Sequence, residues 1–124
     1  MRSVLVIEDN EHNMYLTRFI LENGGYTVIE ARSGEEGIRF AETHRPHLIL
    51  LDIQLPEMDG YAVARQLRIN SELNSVPIIA VTSYAMVGDR ERVLDAGCTG
   101  YIEKPINPDT FITQIREFLD VAGA

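Results

Sequence analysis

The sequence contains no tryptophan, a single cysteine, and no apolar run near the roughly 20 residues that a membrane-spanning helix needs. That cysteine, Cys98, cannot form a disulfide within the chain, which favours a reducing compartment. Lysine and arginine together number 11 against 19 acidic residues, so the formal net charge is -8. This shortage of positive charge argues against direct binding to nucleic acid or to anionic membrane surfaces. No signal-peptide pattern follows Met1, and we therefore expect a cytoplasmic protein.

The hydrophobic residues, 45% of the 124, fall into short continuous runs separated by helical patterns. An aliphatic run without a polar face is typical of a strand buried on both sides of a parallel sheet. Strand-like and helix-like segments alternate five times, which predicts an α/β fold with helices on both faces of a parallel sheet. The predicted strands are 4–7, 26–31, 48–51, 78–81 and 99–104. We expect one domain over 1–124, with a core of about 3–121 and no output domain.

The helices are predicted from capping residues and from hydrophobic residues at helical spacing. Asn10 is a good N-cap for the first helix, and Asn107 for the last. Phe19 and Leu94 are among the hydrophobic residues of the first and fourth helices. Residues 70–75 are polar and are expected to form a loop. The three middle helices are predicted at about 35–43, 61–69 and 87–96.

Polar side chains follow the predicted strands at their carboxyl ends. Glu8 and Asp9 follow the first strand, Asp52 the third, Thr82 the fourth and Lys104 the fifth. The carboxyl ends of parallel strands lie at one edge of the sheet, where open α/β folds bind ligands. Carboxylates about 4–6 Å apart would repel by roughly 3–4 kcal/mol per pair at an effective dielectric near 20. A divalent cation would offset this repulsion, and a set of hard oxygen ligands suits Mg²⁺.

The remaining groups at this edge suit a phosphorylated carboxylate. A metal ion and a lysine can neutralise the oxygens of an incoming phosphoryl group while a carboxylate attacks in line. Asp52 is the candidate nucleophile, with Lys104 and the hydroxyl of Thr82 as further donors.

The motifs that carry these groups resemble those of the receiver domain of two-component response regulators along essentially the whole chain. Four segments in order, each at a predicted strand end, carry the resemblance: 6–10, 51–60, 81–83 and 100–105. The stretch 82–92 is most similar to single-domain regulators of the DivK cell-division type and to receivers of hybrid kinases. The resemblance implies a flavodoxin-like (βα)5 fold with strand order 2-1-3-4-5, for which the chemotaxis receiver is an established example.

The resemblance also implies a phosphorylation site with a bound Mg²⁺. Asp52 would accept the phosphoryl group from a histidine kinase or a histidine phosphotransferase. Glu8, Asp9, Asp52 and the backbone carbonyl of Gln54 would hold the metal ion, Glu8 through water. Such a protein is a signalling phosphoacceptor, which assists its own phosphorylation and dephosphorylation, and not an enzyme acting on other substrates.

Other positions would carry the signal to a protein partner. Lys104 would contact the phosphoryl group and precede a cis Pro105, while Thr82 and Tyr101 would form the switch. Gln54 and Tyr84 would tune the lifetime of the phosphorylated state. The partners implied are the phosphoryl donor and a downstream protein target, with the chain a monomer or a weak dimer.

Three other functions remain open from the sequence. An Mg²⁺-dependent phosphatase with an aspartate nucleophile would need a second Asp where Gln54 stands. A flavodoxin-like flavin or nucleotide binder would need a glycine-rich phosphate loop where Glu8 and Asp9 stand. A receiver used only as a scaffold would not need its site positions occupied. For single residues, Thr82 could be an ordinary strand-end hydroxyl and Tyr101 a half-buried strand tyrosine.

Overall fold

The computed structural model describes residues 2–55, 58–83 and 87–123. Within these residues the chain alternates between five strands and five α-helices. The strands are β1 (Ser3–Ile7), β2 (Thr27–Ala31), β3 (Leu48–Asp52), β4 (Ile78–Thr82) and β5 (Gly100–Glu103). The helices are α1 (Glu11–Asn23), α2 (Gly34–His44), α3 (Gly60–Ile69), α4 (Val87–Asp95) and α5 (Pro108–Gly123). No helix in the described part of the chain has the length and hydrophobicity to cross a bilayer.

The strands form one parallel sheet in the order β2-β1-β3-β4-β5. This is the predicted flavodoxin-like fold and strand order. β1 and β3 are hydrogen-bonded neighbours, with Ile7 in register with Leu51. The strand order therefore places the residues after Ile7 beside the carboxyl end of β3.

Alternate residues of the strands pack against different helices. Val4 and Val6 belong to a buried cluster with residues of α1 and α5, whereas Leu5 and Ile7 belong to a cluster with residues of α2, α3 and α4. The side-chain alternation of a strand thus divides the core into two layers. Because both faces of the sheet are covered, the strands have the continuous hydrophobic sequences that predicted them.

The helix starts follow the capping residues. The side chain of Asn10 accepts a hydrogen bond from the backbone N–H of Asn13 at 2.9 Å, and Ser33 caps α2 in the same way. The Asn107 side chain accepts from the backbone N–H of Asp109, at the start of α5. These bonds satisfy N–H groups that have no partner inside the helix.

One local expectation needs correction. Residues 70–75 are not only a polar loop, because Ser71–Leu73 forms a short 3₁₀ helix whose Leu73 is buried in the core. Phe19 and Leu94, which helped to predict their helices, are about half exposed. Hydrophobicity at helical spacing identified the helices, but it could not tell a core-facing residue from one at the margin of the hydrophobic face.

Candidate functional site

Asp52 is the last residue of β3 and follows four buried aliphatic residues. Its side chain is only 4% exposed. The backbone N–H of Gln54 donates a hydrogen bond to Asp52 Oδ1 at 2.9 Å. The buried strand and this bond fix the carboxylate at the carboxyl edge of the sheet.

Glu8 and Asp9 follow β1 and lie beside Asp52. Glu8 is 6% exposed, and its Oε2 accepts a hydrogen bond from the backbone N–H of Asn10 at 3.2 Å. Asp9 is exposed. One carboxylate oxygen from each of Glu8, Asp9 and Asp52 lies within 4.8 Å of the other two. The convergence expected from the strand ends is therefore present.

Lys104 provides the positive charge at this edge. Its Nζ lies 3.2 Å from Asp52 Oδ1 and 3.7 Å from Glu8 Oε1, with the lysine side chain 18% exposed. The peptide bond that joins Lys104 to Pro105 is cis. Two buried carboxylates and one ammonium group thus form a compact charged cluster, with Asp9 at its exposed side.

The alternation of side chains along each strand explains which residues meet. Asp52 lies an even number of residues after Leu48 and Leu50, so it is on the same face of the sheet as these residues, which pack towards α1 and α5. Lys104 lies two residues after Ile102, which belongs to that same layer, and is therefore on the same face. The charged cluster therefore continues one face of the sheet. Thr82 lies two residues after Ala80, which belongs to the opposite layer, and is therefore on the other face of the sheet.

Thr82 and Tyr101 share this second face. Thr82 is buried at the end of β4, and Tyr101 is in register with Ala80, two residues earlier on that strand. The backbone N–H of Lys104 donates to the carbonyl of Thr82 at 2.8 Å, which ties the two faces together at the strand ends. The structure brings Thr82 and Tyr101 to adjacent positions on one face. Tyr84 lies outside the described residues.

The acidic cluster changes the ionisation of Glu8. Burial, and then hydrogen bonding and charge repulsion from Asp52, raise the pKa of Glu8 to about 7. The N–H of Asn10 and the charge of Lys104 act in the opposite direction. A protonated Glu8 can donate a hydrogen bond to the Asp52 carboxylate, which is why this neighbour favours the protonated form of Glu8.

The donor set fits a hard divalent cation. Three carboxylate oxygens converge at a partly open edge, where water can complete the coordination shell. Mg²⁺ prefers oxygen ligands and usually retains several waters, so these residues suit it better than a softer metal ion.

A cavity of about 330 Å³ opens next to the charged cluster. It lies between α1 and the segment that follows β5, and both Glu8 and Lys104 line it. Its other lining residues are Asn13, Leu16, Thr17, Ser83, Pro105 and Ile106. The cavity is mainly apolar, with the charged groups of Glu8 and Lys104 at one end.

Two contacts around the site were not foreseen from the sequence. The guanidinium carbon of Arg90 lies 5.2 Å from the ring centroid of Tyr101. Gly60 approaches the strand end so closely that a Cβ there would lie 2.9 Å from the carbonyl oxygen of Asp52. The first contact joins distant positions and leaves no sequence pattern, whereas the glycine at position 60, directly before a helical pattern, was a signal that could have been used.

Comparison with known proteins identifies the family to which this fold belongs. A family model described as the response regulator receiver domain matches residues 4–116. The chain therefore belongs to the receiver domain family of two-component response regulators, whose members are signalling phosphoacceptors and not classical enzymes.

Individual proteins show the same relationship. The polar-differentiation response regulator DivK of Brucella anthropi is 48% identical over 118 residues, which are 95% of this chain and 96% of that protein. The Vibrio cholerae chemotaxis protein CheY4 superposes with a TM-score of 0.91 at 26% identity, over 95% of this chain and 98% of that one. The receiver domain of the Pseudomonas aeruginosa sensor histidine kinase PA1611 superposes with a TM-score of 0.86 at 35% identity, covering 99% of this chain and 98% of that one. That structure has a magnesium ion coordinated in its active-site cleft.

Proposed function

We propose that this protein is a phosphorylation switch that accepts a phosphoryl group on Asp52 from a phosphohistidine of a histidine kinase or phosphotransferase. The observation that carries the proposal is the contact of Lys104 Nζ with Asp52 Oδ1 at 3.2 Å, beside two further carboxylates. A carboxylate without this surrounding charge would have no means of stabilising the charge that a phosphoryl group brings.

In the proposed reaction an oxygen of Asp52 forms a bond to phosphorus while the P–N bond of the phosphohistidine breaks. The electron pair of that bond returns to the imidazole of the donor, and the product on this chain is an acyl phosphate. The ammonium group of Lys104 moves from the carboxylate to an oxygen of the phosphoryl group. Burial of Asp52 keeps the reacting carboxylate away from bulk water.

Glu8, Asp9, Asp52 and the backbone carbonyl of Gln54 would hold Mg²⁺ at this site. The bound ion supplies positive charge that neutralises phosphoryl oxygens during transfer. The magnesium ion in the PA1611 receiver domain supports this assignment. Because the pKa of Glu8 is raised, loss of its proton would be part of the cost of binding the metal.

The output of the proposed switch runs through Thr82 and Tyr101. Thr82 would move towards the phosphoryl group, and Tyr101 would follow along the face that the two residues share. The surface of α4, β5 and α5 would then differ between the two states. A downstream protein responds only if it binds these two surfaces with different affinity.

Several finer expectations stay predictions. Gln54 and Tyr84 are proposed to tune the lifetime of the acyl phosphate. The protein is proposed to act as a monomer or weak dimer through contacts with other proteins, without binding nucleic acid directly. The cytoplasmic location expected from the sequence also remains a prediction, as does the organisation of 1–124 as one domain.

The proposal is tested by intact-mass measurement after incubation with acetyl phosphate, with Mg²⁺ and with EDTA. The wild-type protein should gain one phosphoryl group, in the presence of Mg²⁺ only. Asp52→Asn should gain none, whereas Asp109→Asn, which changes an exposed aspartate of α5, should behave like the wild type.

A second donor separates the possible failures. If neither acetyl phosphate nor a phosphorylated histidine phosphotransferase modifies the folded protein, the phosphoacceptor function is wrong. An adduct that persists in Asp52→Asn would show that another residue accepts the group.

A further inference from the structure

Two arginines of α4 each lie over an aromatic ring of a neighbouring element. The guanidinium carbon of Arg90 lies 5.2 Å from the ring centroid of Tyr101 on β5. That of Arg92 lies 4.3 Å from the ring centroid of Tyr61 on α3. Both distances are within the range of a cation–π interaction. The helix is therefore held on one side to the proposed switch tyrosine and on the other to a core tyrosine.

Few of the described side chains of α4 are buried, and both arginines are themselves exposed. Within residues 88–95, Val93 is the one buried side chain, and Leu94 is 49% exposed. Since little apolar surface is buried by this helix, a contact with an arginine makes up a substantial share of its attachment. A substitution of Arg90 should therefore alter the position of the Tyr101 ring.

The two tyrosines differ in their freedom to move. Tyr61 is buried in α3, and its backbone N–H donates to the Asp59 side chain at 2.9 Å. Tyr101 is half-buried on an edge strand of the sheet. Its ring packs partly against the core layer below α3 and α4 and partly beneath the Arg90 guanidinium. The contact with Arg90 therefore stabilises the ring of Tyr101 in the orientation that the structure shows.

We propose that Arg90 is a positioning residue that holds Tyr101 in its present orientation and so biases the switch towards the unphosphorylated surface. The inference rests on the proposed function, because it concerns the equilibrium between the two states of that switch. Arg90 touches neither Asp52 nor a reacting atom, so its effect is on the population of the two states. An exposed cation–π contact is weak, and its loss should change that equilibrium about two- to fivefold.

The test uses the variants Arg90→Gln and Arg92→Gln, which each remove one cation from α4. Beryllium fluoride with Mg²⁺ is the probe, because it forms a stable mimic of a phosphorylated carboxylate. Tyrosine labelled with ¹³C in the ring provides a second readout, with the Tyr101 signals assigned from Tyr101→Phe. Thermal unfolding of each variant checks that the fold is retained.

The expected result is that Arg90→Gln shifts the Tyr101 ring signals of the unliganded protein and binds beryllium fluoride about two- to fivefold more tightly. Arg92→Gln should shift the Tyr61 signals and leave both the Tyr101 signals and the affinity unchanged. A merely structural role for Arg90 would lower stability without raising this affinity.

Different failures lead to different conclusions. If the wild type binds the probe but Arg90→Gln has wild-type affinity and wild-type Tyr101 signals, the inference is wrong and the proposed function stands. An equal gain of affinity in both variants would also overturn it, since general loosening of α4 would then be the cause. If the wild type shows no binding that depends on Asp52, the proposed function fails and the inference fails with it.

Discussion

Lys104 Nζ lies 3.2 Å from Asp52 Oδ1, although β4 separates the strands that carry the two residues. Neighbouring strands are about 4.8 Å apart, so the lysine side chain must reach across β4 to meet the carboxylate. It can do so because both residues continue the face of the sheet that packs on α1 and α5. Lys104 is also the only lysine in the chain, so no other ammonium side chain can substitute for it.

Replacing Lys104 by methionine should slow phosphorylation of Asp52 by acetyl phosphate about a hundredfold. The substitution keeps an unbranched side chain but removes the positive charge that would contact the phosphoryl group, and such losses typically cost a factor of this size or more. Intact-mass time courses at saturating Mg²⁺ measure the rate. Lys104→Arg retains the charge and should lose less, and equal rates for the wild type and Lys104→Met would contradict the role assigned to this residue.

The stability of the metal-free protein should fall as the pH rises from about 4.5 to about 7. The folded state raises the pKa of Glu8 from 4.5 to about 7, so it binds the proton more tightly than the unfolded chain does. Stability from this group is therefore greatest below pH 4.5 and is lost as the pH passes through 7, by up to about 3 kcal/mol. Urea unfolding in EDTA at pH 5, 6, 7 and 8 measures the change.

Glu8→Gln is the matched test of this assignment, because a neutral amide cannot lose the proton. Its stability should change much less with pH over the same range. Glu117→Gln, at an exposed position of α5, should keep the wild-type dependence. A wild-type slope in Glu8→Gln would show that another group controls it.

Much of the fold and of the site was predictable, because both follow from the pattern of the strands. Continuous aliphatic runs such as 48–51 identify buried parallel strands, and polar residues directly after them, such as Asp52, must lie at one edge of the sheet. The resemblance to receiver domains added the strand order. That order places Glu8 next to Asp52, which spacing along the chain alone could not establish.

What could not be predicted depends on contacts between distant positions. The half exposure of Leu94 depends on how α4 sits on the sheet, and the hydrophobic pattern of a nine-residue helix does not determine that. The contact of Arg90 with Tyr101 likewise joins two elements whose relative position comes only from the packed structure. Charged residues on a helix are usually solvated, so no local rule would have selected this arginine.

Gly60→Ala should destabilise the protein by about 2–3 kcal/mol. A Cβ at this position would overlap Ile53 Cα and lie 2.8 Å from the carbonyl oxygen of Ile53, and these backbone atoms cannot rotate away. The turn after β3 would have to move from the strand end that carries Asp52, at the cost typical of overpacking. Urea unfolding measures the loss. Gly88→Ala is the control, since nothing lies within 4 Å of its added Cβ, and its stability should be unchanged or slightly raised.

Arg68 is a residue of α3 that sequence analysis missed, and it connects three segments at the opposite edge of the sheet. Its Nε donates to the carbonyl of Gly97 and its Nη1 to the carbonyl of Leu73, both at 2.7 Å. Its Nη2 donates to Thr99 Oγ1 at 3.3 Å. A planar guanidinium can serve three acceptors in different directions, which a lysine at this position could not do.

Arg68→Met should therefore destabilise the protein by about 1–2 kcal/mol, because it takes the guanidinium away from the carbonyl of Gly97, while the carbonyl of Leu73 keeps its bond from the N–H of Val76. Arg68→Lys should recover only part of this loss. Arg65→Met changes an exposed arginine one turn earlier on the same helix and should have little effect. Phosphorylation of Asp52 should continue in Arg68→Met at temperatures where it is folded, since these contacts lie away from the charged cluster. The Leu73 carbonyl and Thr99 Oγ1 also accept backbone N–H groups, of Val76 and Ile78. If Arg68→Met were as stable as Arg65→Met, water would therefore have to replace the guanidinium at the Gly97 carbonyl, and Arg68 would not be what joins α3 to the start of β5.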